Sequence, residues 1–117
     1  MRLEAKKYLF DIREAASRID GFVDGKQFAD YERDPMLSSA VERNFEILGE
    51  APSQLSKVDP GIATRISEYR RIVAFRNILI HGYAEVDHNL VWDVVETKLP
   101  TLRREVEALL RNAENKT

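Results

Sequence analysis

Apolar residues recur at three- and four-residue steps along almost the whole chain, and this spacing constrains the fold more than any other feature of the sequence. The first stripe covers positions 3–23 and contains Tyr8, Leu9, Ile12, Ala15, Ala16, Ile19 and Val23. That period is typical of the buried face of an α-helix. No window shows the period-two alternation of a half-buried strand. The pattern therefore predicts an all-α fold, an antiparallel bundle of four main helices with short accessory helices.

Aspartate residues mark the starts of the later helices. Asp34-Pro35 begins the second long helix and Asp59-Pro60 begins a short one, because aspartate caps free backbone N–H groups and proline fits the first helical position. Asp87 predicts a similar cap further along the chain. Gly49 and Pro52 predict that the second long helix kinks or restarts near its C-terminal end.

The composition limits the class of protein. A length of 117 residues predicts a single domain over residues 1–117. The apolar runs are too short to span a bilayer, and the charges at residues 2–7 do not fit a signal peptide, so we expect a cytoplasmic protein. The chain has no cysteine and only two histidines. We therefore expect neither a metal site nor a cofactor.

The charge balance predicts that any contact with nucleic acid is local. A formal net charge of −2 does not suit a protein that coats nucleic acid with its whole surface. Four arginines nevertheless fall within residues 65–76: Arg65, Arg70, Arg71 and Arg76. The cluster fits a local RNA contact, and it equally fits a solvated, salt-bridged helix face.

The segment from about residue 68 to residue 83 combines apolar and polar residues in an unusual way. Its apolar residues cover most of a helical circumference, which predicts a helix packed on several sides: Ile72, Val73, Phe75, Ile78, Leu79 and Ile80. The same segment carries Arg76, Asn77, His81 and Tyr83. Unpaired polar groups in a core cost several kcal/mol, so these side chains are expected to be paired or to line a cleft.

Helical geometry separates the two most reactive of these side chains. At about 100° per residue, one stripe of the helix contains Arg70, Ala74, Asn77 and His81. The four-residue step places the Asn77 amide where it can orient the His81 imidazole. Arg76 lies about 140° from His81, so the two share a pocket only if the arginine reaches around the helix or a second subunit contributes. Gly82 allows the helix to end and Tyr83 to turn back.

Three parts of the sequence resemble a known family. Arg76, His81 and Tyr83 match the Arg-x4-His-x-Tyr signature of HEPN proteins, including the asparagine that follows the arginine in many members. Residues 40–51, AVERNFEILGEA, resemble the second-helix motif of the HepT-like branch. Val91-Trp92-Asp93 and Leu99-Pro100 resemble its C-terminal part. The resemblance covers nearly the whole chain in order and length.

The resemblance implies a homodimeric ribonuclease, the toxin of a toxin–antitoxin pair whose antitoxin is an MNT-type nucleotidyltransferase. It implies that Arg76 and His81 of both subunits are catalytic and meet in a cleft at the dimer interface. It also implies that the antitoxin silences the toxin by attaching AMP to Tyr83. The residue types suit RNA cleavage without metal, since His81 can act as base or acid and Arg76 can hold phosphate oxygens. Asn77 and Tyr83 are then substrate-positioning residues.

Two other functions remain open at this point. The main alternative is a non-catalytic helical module that binds a nucleotide or a nucleotidyltransferase. A purely structural dimerising bundle is a third possibility, and it gives the polar residues of the central helix no role.

Several other polar residues have structural explanations. His88 is expected in the first turn of a helix, and Trp92 as a core or dimer-interface residue. Arg43, Glu46 and Glu50 follow one another at three- and four-residue steps. They fit surface ion pairs or the lining of the cleft.

Overall fold

The computed structural model describes residues 1–82 and 86–115. Within these residues the chain forms helices and no strand, as the period of the apolar residues predicts. The helices are α1 (Leu3–Val23), α2 (Phe28–Arg33), α3 (Pro35–Val58), α4 (Pro60–Ala63), α5 (Tyr69–His81), α6 (His88–Thr97) and α7 (Leu99–Asn115). None of the helices in the described ranges is both long and apolar enough to cross a membrane.

Aspartate caps begin three of these helices. Asp34 Oδ1 accepts a hydrogen bond from the backbone N–H of Met36 at 3.0 Å, and Asp59 Oδ1 accepts one from Ile62 at 3.1 Å. Asp87 caps α6 in the same way. Because the first N–H groups of a helix have no partner within the helix, these carboxylates determine where each helix begins.

Helix α3 runs without interruption through Pro52, so it does not restart near that residue, and the kink that the same two residues predict stays a prediction. Proline removes one backbone hydrogen bond from a helix interior. Here Ala51, Pro52 and Leu55 are buried, and the packing of this last part of α3 offsets the missing bond. The helix therefore continues to Val58.

The four longest helices form the predicted bundle. Helix α1 packs along α3 and α7, and α3 also packs along α5. The fully buried side chains at their contacts include Leu9, Ile12, Ile19, Val41, Phe45, Leu55 and Val106. Short helices α2, α4 and α6 cover the remaining sides of α3 and α7.

Helix α5 is not packed on several sides, and that expectation from its apolar residues is wrong. Only Phe75 and Leu79 are buried in it, and α3 is its one extensive contact among the described helices. Ile78 remains 53% exposed and Ile80 37% exposed. The apolar residues around the circumference of α5 thus leave a free surface, because no helix of the described ranges lies over it.

A polar group inside the aromatic cluster connects α2, α3 and α6. Tyr31 is completely buried, and its hydroxyl donates a hydrogen bond to Glu42 Oε2 at 2.9 Å. Burial, together with the neighbouring Glu42 carboxylate, raises the pKa of Tyr31. Its ring lies against those of Trp92 and His88. His88 is the first residue of α6, as predicted, and Trp92 packs against the core.

Candidate active site

Helix α5 directs Arg76 and His81 to different sides of the molecule. The Arg76 side chain is 24% exposed and lies between α5 and α3. His81 is the last residue of α5 and is exposed. The five-residue step corresponds to a rotation of about 140°. A single protomer therefore holds the two side chains apart, as the helical geometry predicts.

The Arg76 guanidinium is held by two neighbours. Its Nη1 donates to Asn77 Oδ1 at 2.6 Å, and its Nη2 forms an ion pair with Glu50 Oε2 on α3. A guanidinium has two N–H groups on each terminal nitrogen, so one on each remains available for a phosphate oxygen. The arginine is thus positioned without being saturated.

Gly49 makes this arrangement possible. A Cβ atom at this position would clash with the Arg76 Cβ and would lie 3.0 Å from Arg76 Cγ and 3.1 Å from the backbone oxygen of Ile72. The stem of Arg76 therefore rests directly on the backbone of α3. Any larger residue at position 49 has to displace the arginine or the whole of α5.

Asn77 acts on a different partner from the one expected. Its Oδ1 accepts the hydrogen bond from Arg76, and no hydrogen bond joins Asn77 to His81 in the part of the chain that the structure describes. Both side chains are exposed, so packing does not hold them together either. The Asn77 amide therefore helps to position Arg76 and does not orient the His81 imidazole.

Gly82 ends α5 immediately after His81. Its backbone N–H donates to the Ile78 oxygen at 2.8 Å, and a Cβ atom there would lie only 2.9 Å from the same oxygen. The glycine thus places His81 at the end of the helix. Tyr83, the predicted substrate-positioning residue and acceptor of AMP, lies outside the described residues.

A cleft of about 310 Å³ opens beside Arg76 between α1, α3 and α5. Its polar lining includes Lys7, Asp11, Arg43, Glu46, Glu50 and Arg76. Lys7 pairs with Asp11 at 3.4 Å and Arg43 with Glu46 at 3.0 Å, so the ion-pair interpretation is right for Arg43 and Glu46. Glu50 also forms an ion pair, with Arg76, and all three side chains line this cleft.

The other side of α5 borders an apolar groove of about 370 Å³ that separates it from α6 and α7. Its walls include Phe75, Ile78, Leu90 and Val94.

Among the described residues, no group of three or more His, Asp or Glu side chains is arranged to hold a metal ion. The predicted site residues on α5 are thus Arg76, Asn77 and His81, with Glu50 of α3 paired to the arginine.

Comparison with known proteins decides the family. The model of the family described as ribonuclease HepT-like matches residues 12–109. The chain belongs to this family. The matched residues run from α1 into α7 and include Glu50, Arg76 and His81.

Relatives of this HepT-like chain carry corresponding names. A protein of Thermococcus cleftensis provisionally named ribonuclease HepT is 34% identical over 93% of this chain and 98% of its own length. MJ1380 of Methanocaldococcus jannaschii, provisionally named an RNase, is 31% identical over 89% of this chain and 94% of its own length. TTE0752 of Caldanaerobacter subterraneus, with the same provisional name, is 29% identical over 91% of this chain and 94% of its own. No solved structure matches the chain significantly.

The Glu50–Arg76 pair is the feature of the site that sequence reasoning left undecided. Glu50 has the same spacing to its neighbours as an ordinary surface ion-pair residue, and its partner is 26 residues away. The sequence contains one indication of this contact, the glycine that precedes Glu50, because a glycine inside a long helix often marks a close contact.

The role of Gly49 can be tested with a matched pair of helical glycines. Gly49→Ala is expected to lower the free energy of unfolding by roughly 1–3 kcal/mol, because the methyl group pushes α5 from α3. A Cβ atom at Gly21 in α1 meets nothing within 4 Å. Gly21→Ala should therefore leave stability unchanged or raise it by up to about 1 kcal/mol. Denaturant titration measures both, and equal effects would argue against the close contact.

Proposed function

We propose that this chain is a cytoplasmic toxin that cleaves RNA without a metal ion, as a homodimer whose cleft combines Arg76 and His81 of both subunits. The observation that carries this proposal is the arrangement on α5, where Glu50 and Asn77 hold Arg76 while His81 is exposed at the helix end. Family membership and the names of the relatives point to the same reaction.

The proposed reaction requires three groups around one phosphodiester. A base takes the proton of the 2′-hydroxyl, whose oxygen attacks phosphorus, and an acid gives a proton to the departing 5′-oxygen. The products are a 2′,3′-cyclic phosphate and a 5′-hydroxyl. The His81 imidazole can accept or donate a proton, so it serves as one of these two groups, and His81 of the second subunit serves as the other. Arg76 stabilises the charge on the phosphorane oxygens.

The free face of α5 supports a dimer. Ile78 and Ile80 lie on either side of the stripe that contains Asn77 and His81, and both are exposed in the protomer. Apolar side chains beside polar ones on an uncovered helix are typical of an interface. A two-fold axis next to α5 brings two arginines and two histidines into one cleft.

Control by a nucleotidyltransferase antitoxin is the regulatory part of the proposal. Tyr83 follows His81 by two residues. AMP joined to its hydroxyl introduces an anionic phosphodiester next to the catalytic groups. That phosphodiester competes with the scissile phosphate for Arg76.

Removal of either catalytic side chain should stop cleavage while the fold remains. We expect His81→Ala and Arg76→Ala each to lower the cleavage rate by roughly 10²-fold or more, measured with purified protein and labelled RNA in EDTA. Circular dichroism and the thermal midpoint should stay close to those of the parent. Arg71→Ala, at an arginine that is 81% exposed and paired with Glu68, is the matched control.

Three results would contradict this mechanism. Activity that disappears in EDTA and returns with magnesium would indicate metal catalysis. Loss of the helical spectrum in both variants would indicate a structural role for Arg76 and His81. Nucleotide binding without any cleavage by the parent would favour the non-catalytic binding module.

The dimer can be tested with a charge on the free face of α5. The parent should sediment at about 27 kDa, twice its mass of 13.5 kDa. Ile78→Lys should shift the mass to that of the monomer and reduce cleavage in parallel, because the lysine has to be desolvated in the interface. Met36 is 84% exposed at the start of α3, so Met36→Lys is the control. A monomer that is fully active at nanomolar concentration would disprove the shared cleft.

The control by AMP predicts a change in mass. After co-expression with an MNT-type nucleotidyltransferase antitoxin, the toxin should gain about 329 Da for each AMP, located on Tyr83 by tandem mass spectrometry. Tyr83→Phe has no hydroxyl to modify and should resist silencing if it retains activity. Neutralisation with no gain in mass would indicate inhibition by complex formation alone.

A further inference from the structure

The outer face of α5 carries an open row of residues that leads away from His81. The row consists of Arg70, Ala74, Asn77 and His81, and all four are exposed. With a rise of about 1.5 Å per residue, Arg70 lies about 16 Å from His81 along the helix axis. Ala74 has the smallest side chain in the row. It leaves space between the two ends for a bound chain.

Arg70 differs from the other arginines of α5 in its partners. Arg71 pairs with Glu68 at 2.9 Å and Arg76 pairs with Glu50. No carboxylate of the described residues lies within 4 Å of the Arg70 guanidinium. The charge of Arg70 is therefore shared with no carboxylate of the described residues, whereas the charge of Arg71 is partly neutralised by Glu68.

Tyr69 holds the Arg70 guanidinium in place. The Nε–H of Arg70 donates to the Tyr69 hydroxyl oxygen at 3.2 Å, and the guanidinium carbon lies 5.7 Å from the centre of the Tyr69 ring. Tyr69 itself packs against the core. The two terminal nitrogens of Arg70 make no hydrogen bond within the described residues, and together they form a fork that can bind a phosphate by two hydrogen bonds.

We propose that Arg70, held by Tyr69, is a second phosphate-binding subsite, which takes a backbone phosphodiester of the RNA strand several nucleotides from the one that is cleaved. The proposal rests on the proposed function for the position of the cleaved bond. It adds that the RNA strand continues from the shared cleft toward the N-terminal end of α5, beyond the contact of Ile78 and Ile80 between the subunits. The subsite increases affinity for longer RNA and takes no part in the bond-breaking step.

The subsite predicts a specific change in salt-dependent binding. In the His81→Ala background, fluorescence anisotropy with labelled oligouridine should show binding roughly tenfold weaker or more for Arg70→Ala at low salt, as for loss of one charged hydrogen bond. The slope of log K against log salt concentration should fall by about 0.7 for the lost single-strand phosphate contact. Arg71→Ala removes the same charge one residue away and should change both quantities much less.

Two further variants separate the effect of the two-hydrogen-bond geometry of Arg70 from the effect of its charge. Arg70→Lys keeps the charge and loses the fork, so it should recover the salt slope and only part of the affinity. Tyr69→Phe removes the hydroxyl that accepts from Arg70 and should weaken binding in the same direction as Arg70→Ala. Equal effects of Arg70→Ala and Arg71→Ala would overturn the subsite, since general charge would then explain both.

Cleavage of oligouridines of increasing length distinguishes failure of the subsite from failure of the proposed function. For the parent, kcat/KM should rise with length until the strand reaches Arg70, and Arg70→Ala should lose that rise. A parent that binds RNA with the expected salt slope and never cleaves it would contradict the function and leave the subsite standing. A parent that binds no RNA would overturn both.

Discussion

The close packing of α5 on α3 depends on the missing side chain of Gly49, and the position of Arg76 depends on that packing. Because the arginine stem rests on the α3 backbone, its guanidinium reaches Glu50 on α3 and Asn77 on α5. Helix α3 thus acts as the support for the charged group, and α1 supports α3 through the main apolar contact of the bundle.

The contact between α3 and α5 matters for function because the opposite side of α5 is uncovered. One side of the helix faces α3 and is anchored there, while the side with His81, Asn77 and Arg70 has no neighbour among the described helices. A helix anchored along one side can present polar groups in fixed positions to another molecule. The helix then keeps His81 at its C-terminal end at a fixed distance from Arg70 at its N-terminal end, which a flexible loop would not do.

Local signals in the sequence predicted most of the helix boundaries, and tertiary contacts explain what they missed. The aspartate caps act within four residues, so Asp34, Asp59 and Asp87 can be interpreted without a structure. The exposure of Ile78 and the pairing of Glu50 with Arg76 depend on which helix lies next to α5. Periodicity counts the apolar residues of a helix and does not show whether this chain or another molecule covers them.

Trp92 is the only tryptophan of the chain, and its location makes intrinsic fluorescence a local reporter. Its ring lies 5.5 Å from that of the buried Tyr31 and 6.5 Å from that of Phe28, at the junction of α2 and α6. Excitation of Tyr31 can transfer efficiently to the indole over this distance. The emission therefore reports whether α6 remains seated on α2, and α6 begins only seven residues after His81. Events at the end of α5 thus have an optical signal close by, without any added label.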